Sequence, residues 1–65
     1  MRNETRDQLM TAPDLAEELG LGLQTLAQWR WQGVGPAFVK VGRLVRYRRS
    51  DVDAWLAANE VQPVA

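Results

Sequence analysis

The spacing of apolar and polar residues predicts a short amphipathic helix that follows Thr11. Leu15 and Leu19 share one helical face, and acidic residues occupy positions between them. Thr11 is a suitable N-cap, Asp14 lies at the capping-box position, and Gly20 is a suitable left-handed residue for the C-terminal end. These signals delimit the helix at both ends.

A second helix is predicted from about Leu23 to about Gln32. Leu26 and Trp29 share one face of it, and Gly33 follows as a stop signal. Only a short turn that contains glycine separates the two predicted helices. This arrangement is the skeleton of a helix-turn-helix motif.

Residues 38–41 and 44–47 are rich in β-branched and aromatic side chains, and Gly42-Arg43 lies between them. The pattern predicts a two-stranded hairpin. In its second strand Val45 and Tyr47 alternate with arginines, so one face can pack inward while the other presents guanidinium groups.

A third helix is predicted after the hairpin, with Ser50 as its cap, Asp53 completing a capping box and Asn59 as its end. The fold class is therefore predicted to be mostly α with a small β-hairpin, a winged helix-turn-helix in which the wing precedes the third helix. The domain is expected to span residues 9–59, between a flexible tail at 1–8 and a C-terminal tail at 60–65. The expected core consists of Leu15, Leu19, Leu26, Trp29, Val39, Val45, Tyr47, Val52, Trp55 and Leu56.

The composition argues against most catalytic chemistry. The 65 residues contain no Cys and no His, which removes disulfides, thiolate metal sites and the usual general base. The acidic residues are scattered as caps and along helix faces. We expect no enzyme, no catalytic residues, no metal and no cofactor. No signal peptide and no apolar run of about 20 residues is present, so we expect a cytoplasmic protein without a membrane partner.

Charge is distributed unevenly although the formal net charge is zero. Six of the eight basic residues fall between positions 30 and 49, and no acidic residue lies in that stretch. A local positive field attracts phosphate whatever the net charge, which favours nucleic acid as the partner. A solvated basic hairpin without a partner is the alternative.

The second helix carries the first group of candidate DNA contacts. Gln24, Gln28 and Trp31 fall together on the side opposite the buried face, and Thr25 flanks the buried side near the helix start. Gln pairs with adenine in the major groove, and Thr can bond a base or a phosphate. Arg30 adds a charge to the same helix. The indole of Trp31 is expected either to fold against the following loop or hairpin, or to meet a partner.

The hairpin carries the second group of candidate contacts: Lys40, Arg43, Arg46 and Arg48. An arginine at a hairpin tip can enter a narrow minor groove, where the potential is most negative. A helix in the major groove and a basic wing in the adjacent minor groove together form a coherent DNA-binding surface.

The residues between about 9 and 57 resemble the MerR-type winged helix-turn-helix of the excisionase and AlpA-like families, most closely the excisionases of temperate mycobacteriophages. The most specific part of the resemblance runs from Gly42-Arg43 through Ser50-Asp51-Val52 to Ala54-Trp55-Leu56. One departure is Gly22, where the family usually has Ser or Thr as the helix N-cap. Two others are Ala27-Gln28 and Trp31, where relatives often carry basic residues.

The resemblance implies an architectural protein, also called a recombination directionality factor, in the cytoplasm of a bacterial host cell. Such proteins bind and bend attachment-site DNA, often cooperatively with neighbouring protomers, and direct a phage tyrosine integrase toward prophage excision. It implies DNA-binding roles for Gln24, Thr25, Gln28 and Arg43. The chain shows no long dimerisation helix of the kind expected in a MerR-type regulator.

Two other functions fit the same residues. One is an AlpA-like transcriptional regulator that uses the same DNA-binding surface. The other is a protein-interaction module, such as an inhibitor or antitoxin, with Trp31 as its anchor.

Overall fold

The computed structural model describes residues 8–63. The elements in chain order are β1 (Leu9–Thr11), α1 (Ala12–Leu19), α2 (Leu23–Gln32), β2 (Val39–Val41), β3 (Leu44–Arg48) and α3 (Arg49–Ala58). The flexible tail expected at residues 1–8 lies outside the described part of the chain except for Gln8. Residues 60–63 follow α3 without regular secondary structure.

The first helix confirms the predicted end signals. The hydroxyl Oγ1 of Thr11 accepts a hydrogen bond from the Asp14 backbone N–H at 3.1 Å, and Asp14 Oδ2 accepts one from the Thr11 N–H at 3.4 Å. At the other end Gly20 has a φ of 69°, and the Leu21 N–H donates to the Ala16 carbonyl at 2.8 Å. This is a Schellman motif, in which a left-handed residue lets the chain reverse and satisfy a helix-end carbonyl. The tight turn to α2 follows from it.

The second helix begins and ends where the sequence predicts. Gly22 is its N-cap, and no side chain among the described residues caps it. Gly33 ends it in the left-handed conformation, with the Val34 N–H donating to the Trp29 carbonyl at 2.9 Å. Leu26, on the inner face of α2, is fully buried.

The predicted hairpin is present, but the sheet has three strands in the order β1-β3-β2. The turn of the hairpin is Gly42-Arg43, and both neighbours of β3 run antiparallel to it. The additional strand β1 pairs Met10 with Tyr47. Three residues are too few to show an alternating pattern, and β1 is stabilised by pairing with β3 and by the burial of Met10 in the core.

The core lies between the helices and the inner face of the sheet. Trp29 and Val45 are partly buried and pack against this core. The rings of Trp29 and Trp55 pack against each other with their centroids 5.4 Å apart. The expected core placement of Leu56 is wrong, because its side chain remains 39% exposed. The helix α3 packs mainly on β3, and the α3 residue that is fully buried is Val52. The buried core cluster comprises Met10, Leu15, Ala16, Leu26, Tyr47 and Val52.

The start of α3 also differs from the expectation. The helix begins at Arg49 with Arg48 as N-cap, so Ser50 lies in the first turn rather than before it. The helix begins at Arg49 because β3 continues directly into it. The pairing of β3 with the β1 side of the sheet extends to this residue, whose N–H donates to the Gln8 carbonyl at 2.9 Å. Asp53 accepts hydrogen bonds from the Arg49 guanidinium.

Candidate nucleic-acid interface

One exposed stripe runs along the outer face of α2. Gln24, Gln28 and Trp31 are all exposed, while Thr25 is half-buried at the edge of the stripe. The Trp31 side chain is 87% exposed, so it folds neither onto the following loop nor onto the hairpin. The helical faces predicted from spacing are therefore correct, and the stripe is open to another molecule.

Arg30 lies on a different side of α2 and joins the helix to the sheet. Its Nη1 donates to the hydroxyl of Tyr47 at 2.9 Å, and its guanidinium lies 5.8 Å from the centre of the Phe38 ring. Tyr47 is only 1% exposed, and a buried tyrosine hydroxyl requires a hydrogen-bond partner. These contacts fix the angle between α2 and the hairpin. Residue spacing does not predict this contact, and the inward-facing tyrosine is the only signal of it in the sequence.

The strand register separates the basic residues of the wing. Lys40 pairs with Val45, so it lies on the inner face of the sheet, to which Tyr47 also belongs. Arg46 pairs with Val39 and Thr11 and lies on the outer face, where its Nη1 donates to the Val45 carbonyl at 2.8 Å. Lys40 and Arg46 therefore do not share a face of the hairpin.

Arg43 occupies the second position of the hairpin turn and is exposed. No carboxylate among residues 8–63 forms a salt bridge with it, and the same holds for Arg30, Lys40 and Arg46. The tip of the hairpin thus presents an uncompensated positive charge.

The last two arginines of the basic segment are paired with carboxylates. Arg48 Nη1 lies 3.4 Å from Asp51 Oδ2. Arg49 binds both carboxylate oxygens of Glu18 at 2.9 and 2.8 Å and also contacts Asp53 at 2.9 Å. The hydrogen bonds from Arg49 lower the pKa of Glu18, and those carboxylates raise the pKa of Arg49. The surplus positive charge is therefore smaller than the sequence count of six suggests.

The described residues form no concave pocket and no cluster of three or more potential metal ligands. No helix within residues 8–63 is both long and apolar enough to cross a membrane. The features that stand out are exposed, namely the α2 stripe and the hairpin tip.

A family model for a helix-turn-helix domain matches residues 9–60. The chain belongs to the helix-turn-helix domain family. The match covers every helix and strand described above. A helix-turn-helix domain with a wing indicates binding to double-stranded DNA. Searches of curated proteins and of solved structures found no match.

Proposed function

We propose that this helix-turn-helix domain is a phage excisionase, an architectural protein that binds and bends attachment-site DNA. In this role it directs a tyrosine integrase toward prophage excision in the cytoplasm of a bacterial host cell. The observation that carries the proposal is the pairing of an exposed polar stripe on α2 with an unpaired arginine at the hairpin tip. The resemblance of residues 9–57 to excisionases supports the finer assignment.

The α2 stripe is suited to the major groove. A recognition helix contacts base edges with the exposed residues near its N-terminus, where Gln24 lies, and Gln28 follows one turn later on the same face. Each amide can form two hydrogen bonds with an adenine edge. Thr25, at the edge of the stripe, is in position to bond a base or a phosphate.

The wing is suited to the adjacent minor groove. The exposed Arg43 can insert where the groove is narrow and its potential is most negative. Lys40 and Arg46 lie on opposite faces of the same hairpin, so they can reach phosphates on the two sides of the groove. Arg48 retains a salt bridge with Asp51 and contributes less. The contact between Arg30 and Tyr47 holds the wing at a constant angle to α2, which suits simultaneous contact with both grooves.

A single module of this size covers about one turn of DNA and buries roughly 600–1,000 Å², so it binds modestly alone. Protomers on adjacent direct repeats would support one another, and wings placed in phase along the duplex would add their bends into a curve.

The test is a titration of the full chain onto an attachment-site fragment, followed by gel mobility and by circular-permutation bending. We expect a ladder of complexes that fills cooperatively, with a bend that grows at each step. A matched fragment with randomised sequence should show weak binding and no ladder.

Two results would contradict the proposal. A single complex on one palindromic site, with straight DNA, would favour an AlpA-like transcriptional regulator. Failure to bind either fragment at moderate salt would favour a protein-interaction module.

A further inference from the structure

Trp31 is the most exposed of the large apolar side chains in the described part of the chain, at 87%. The other tryptophans differ from it, because Trp29 and Trp55 are half-buried and pack against each other. Trp31 therefore contributes nothing visible to the core, and its indole forgoes a burial energy that a partner could supply.

The position of Trp31 restricts what that partner is. Gln24, Gln28 and Trp31 are separated by four and three residues, so they form one line along the outer face of α2. The line is about 10 Å long, because a helix rises about 1.5 Å per residue. A groove that receives both glutamines therefore also receives the indole.

The charges around the stripe favour DNA over an apolar protein surface. The hairpin tip carries the unpaired Arg43, while Arg30 lies on another side of α2 and binds the Tyr47 hydroxyl. No acidic residue lies in α2 or in the hairpin. An anionic duplex complements these surroundings.

The apolar feature that the major groove offers to an indole is the C5-methyl group of thymine. We propose that Trp31 is a specificity-determining residue that packs against a thymine methyl group in the major groove. The proposal rests on the DNA-binding function above. Given the length of the stripe, this thymine should lie about two to three base pairs from an adenine contacted by Gln24.

The experiment starts from a duplex site selected by the full chain from a randomised library. Each thymine is replaced in turn by deoxyuridine, which lacks only the methyl group, and affinity is measured for the wild type and for Trp31→Ala. At one position we expect wild-type affinity to fall about four-fold, the equivalent of one buried methyl group. Trp31→Ala should bind the thymine site more weakly and should not distinguish thymine from deoxyuridine at that position.

Two control variants accompany this comparison. Trp31→Phe keeps an apolar ring and should retain part of the discrimination. Val61→Ala removes an apolar side chain that is 85% exposed and lies after α3, and it should behave as the wild type. Intrinsic fluorescence gives a separate readout, since the change in emission on adding DNA should be lost in Trp31→Phe, which retains Trp29 and Trp55.

The failures are distinguishable. If the wild type selects no site and binds no duplex, the proposed function fails. If it binds a site but Trp31→Ala binds as tightly, or remains equally sensitive to deoxyuridine, the role of Trp31 is overturned. A selected site without a required thymine would also overturn it.

Discussion

Gly35, in the loop after α2, lies in close contact with the side chain of Trp29. A Cβ atom at Gly35 would lie 2.7 Å from Cε3 of Trp29 and 3.2 Å from its Cβ. Gly35 also has a φ of 85°, a conformation that other L-residues rarely adopt. At the scale of single residues, this glycine allows the loop to close over Trp29 and lead into the hairpin.

We expect Gly35→Ala to lower the free energy of unfolding by about 2–4 kcal/mol, combining backbone strain with overpacking against Trp29. Gly33→Ala is the matched control, because Gly33 has a φ of 75° but a methyl group added there would meet no atom within 4 Å. That variant should lose only about 1–2 kcal/mol, from backbone strain alone. Urea unfolding measures both, and equal losses would show that the contact with Trp29 is unimportant.

Arg43 has a direct predicted effect on DNA affinity. Arg43→Ala should weaken binding by about 1–3 kcal/mol if the guanidinium enters the minor groove. The fold should be unaffected, because the side chain is exposed at a turn. Arg48→Ala is the control, since Arg48 pairs with Asp51, and it should lose less affinity in the same gel-shift titration. A wild-type affinity for Arg43→Ala would exclude the tip from the interface.

At the scale of elements, Arg49 connects the first and third helices. Its guanidinium, at the start of α3, binds Glu18 near the end of α1, and Asp53 holds it from the following turn. The same residue continues the pairing between β1 and β3 through its backbone N–H. One arginine thus fixes how α1, α3 and the sheet edge meet.

This contact predicts a pH dependence of stability. The folded-state pKa of Glu18 is lowered from its ordinary value of 4.5 by the hydrogen bonds from Arg49. The stabilisation is therefore complete above about pH 4.5 and is lost as the pH falls through the lower folded-state pKa. Glu18→Gln should lower the melting temperature at pH 7 and should flatten its decline below pH 4.5.

Glu17→Gln is the matched control for this prediction, since Glu17 is an exposed neighbour on the same helix. Its melting curve should follow the wild type across the acid range. Identical acid profiles for the Glu18→Gln variant and the wild type would contradict a stabilising role for the contact. Added salt should reduce the difference between them, because exposed ion pairs are screened.

At the scale of the whole molecule, the positive charge is concentrated on α2 and the hairpin although the chain is neutral overall. Of the six basic residues between positions 30 and 49, Arg48 and Arg49 are paired with carboxylates. Six basic residues would suggest contact with about 4–5 phosphates. The four that form no salt bridge within residues 8–63 support contact with roughly three to four phosphates.

We therefore expect log affinity to fall with log salt at a slope of about −3 per protomer. Fluorescence anisotropy with a labelled duplex measures this slope. Neutralising the tip in Arg43→Gln should make it shallower by about one. A slope near zero would contradict phosphate binding and favour a protein partner.

Much of the fold follows from short-range signals. The capping box at Thr11, the glycines after α1 and α2 and the two-residue turn at Gly42 act over a few residues, so they are visible in the chain. The stripe of Gln24, Gln28 and Trp31 is equally predictable, because helical spacing alone decides which side chains share a face.

Contacts between distant segments are not visible in this way. The packing around β3 decides three features that the sequence does not show. These are the strand β1, the start of α3 at Arg49 and the exposure of Leu56. The charge pairs depend on the same packing, since Glu18 and Arg49 are far apart in the chain.

Local sequence thus specifies where the helices and the hairpin lie and which residues face outward, because these features depend on backbone conformation and spacing. The angle between α2 and the wing depends instead on Arg30 meeting Tyr47 and Phe38 across the core. Packing also decides which charges are paired, because ion pairing requires proximity in space rather than along the chain. Arg49 therefore binds Glu18 and Asp53, while the charge of Arg43 remains available at the hairpin tip.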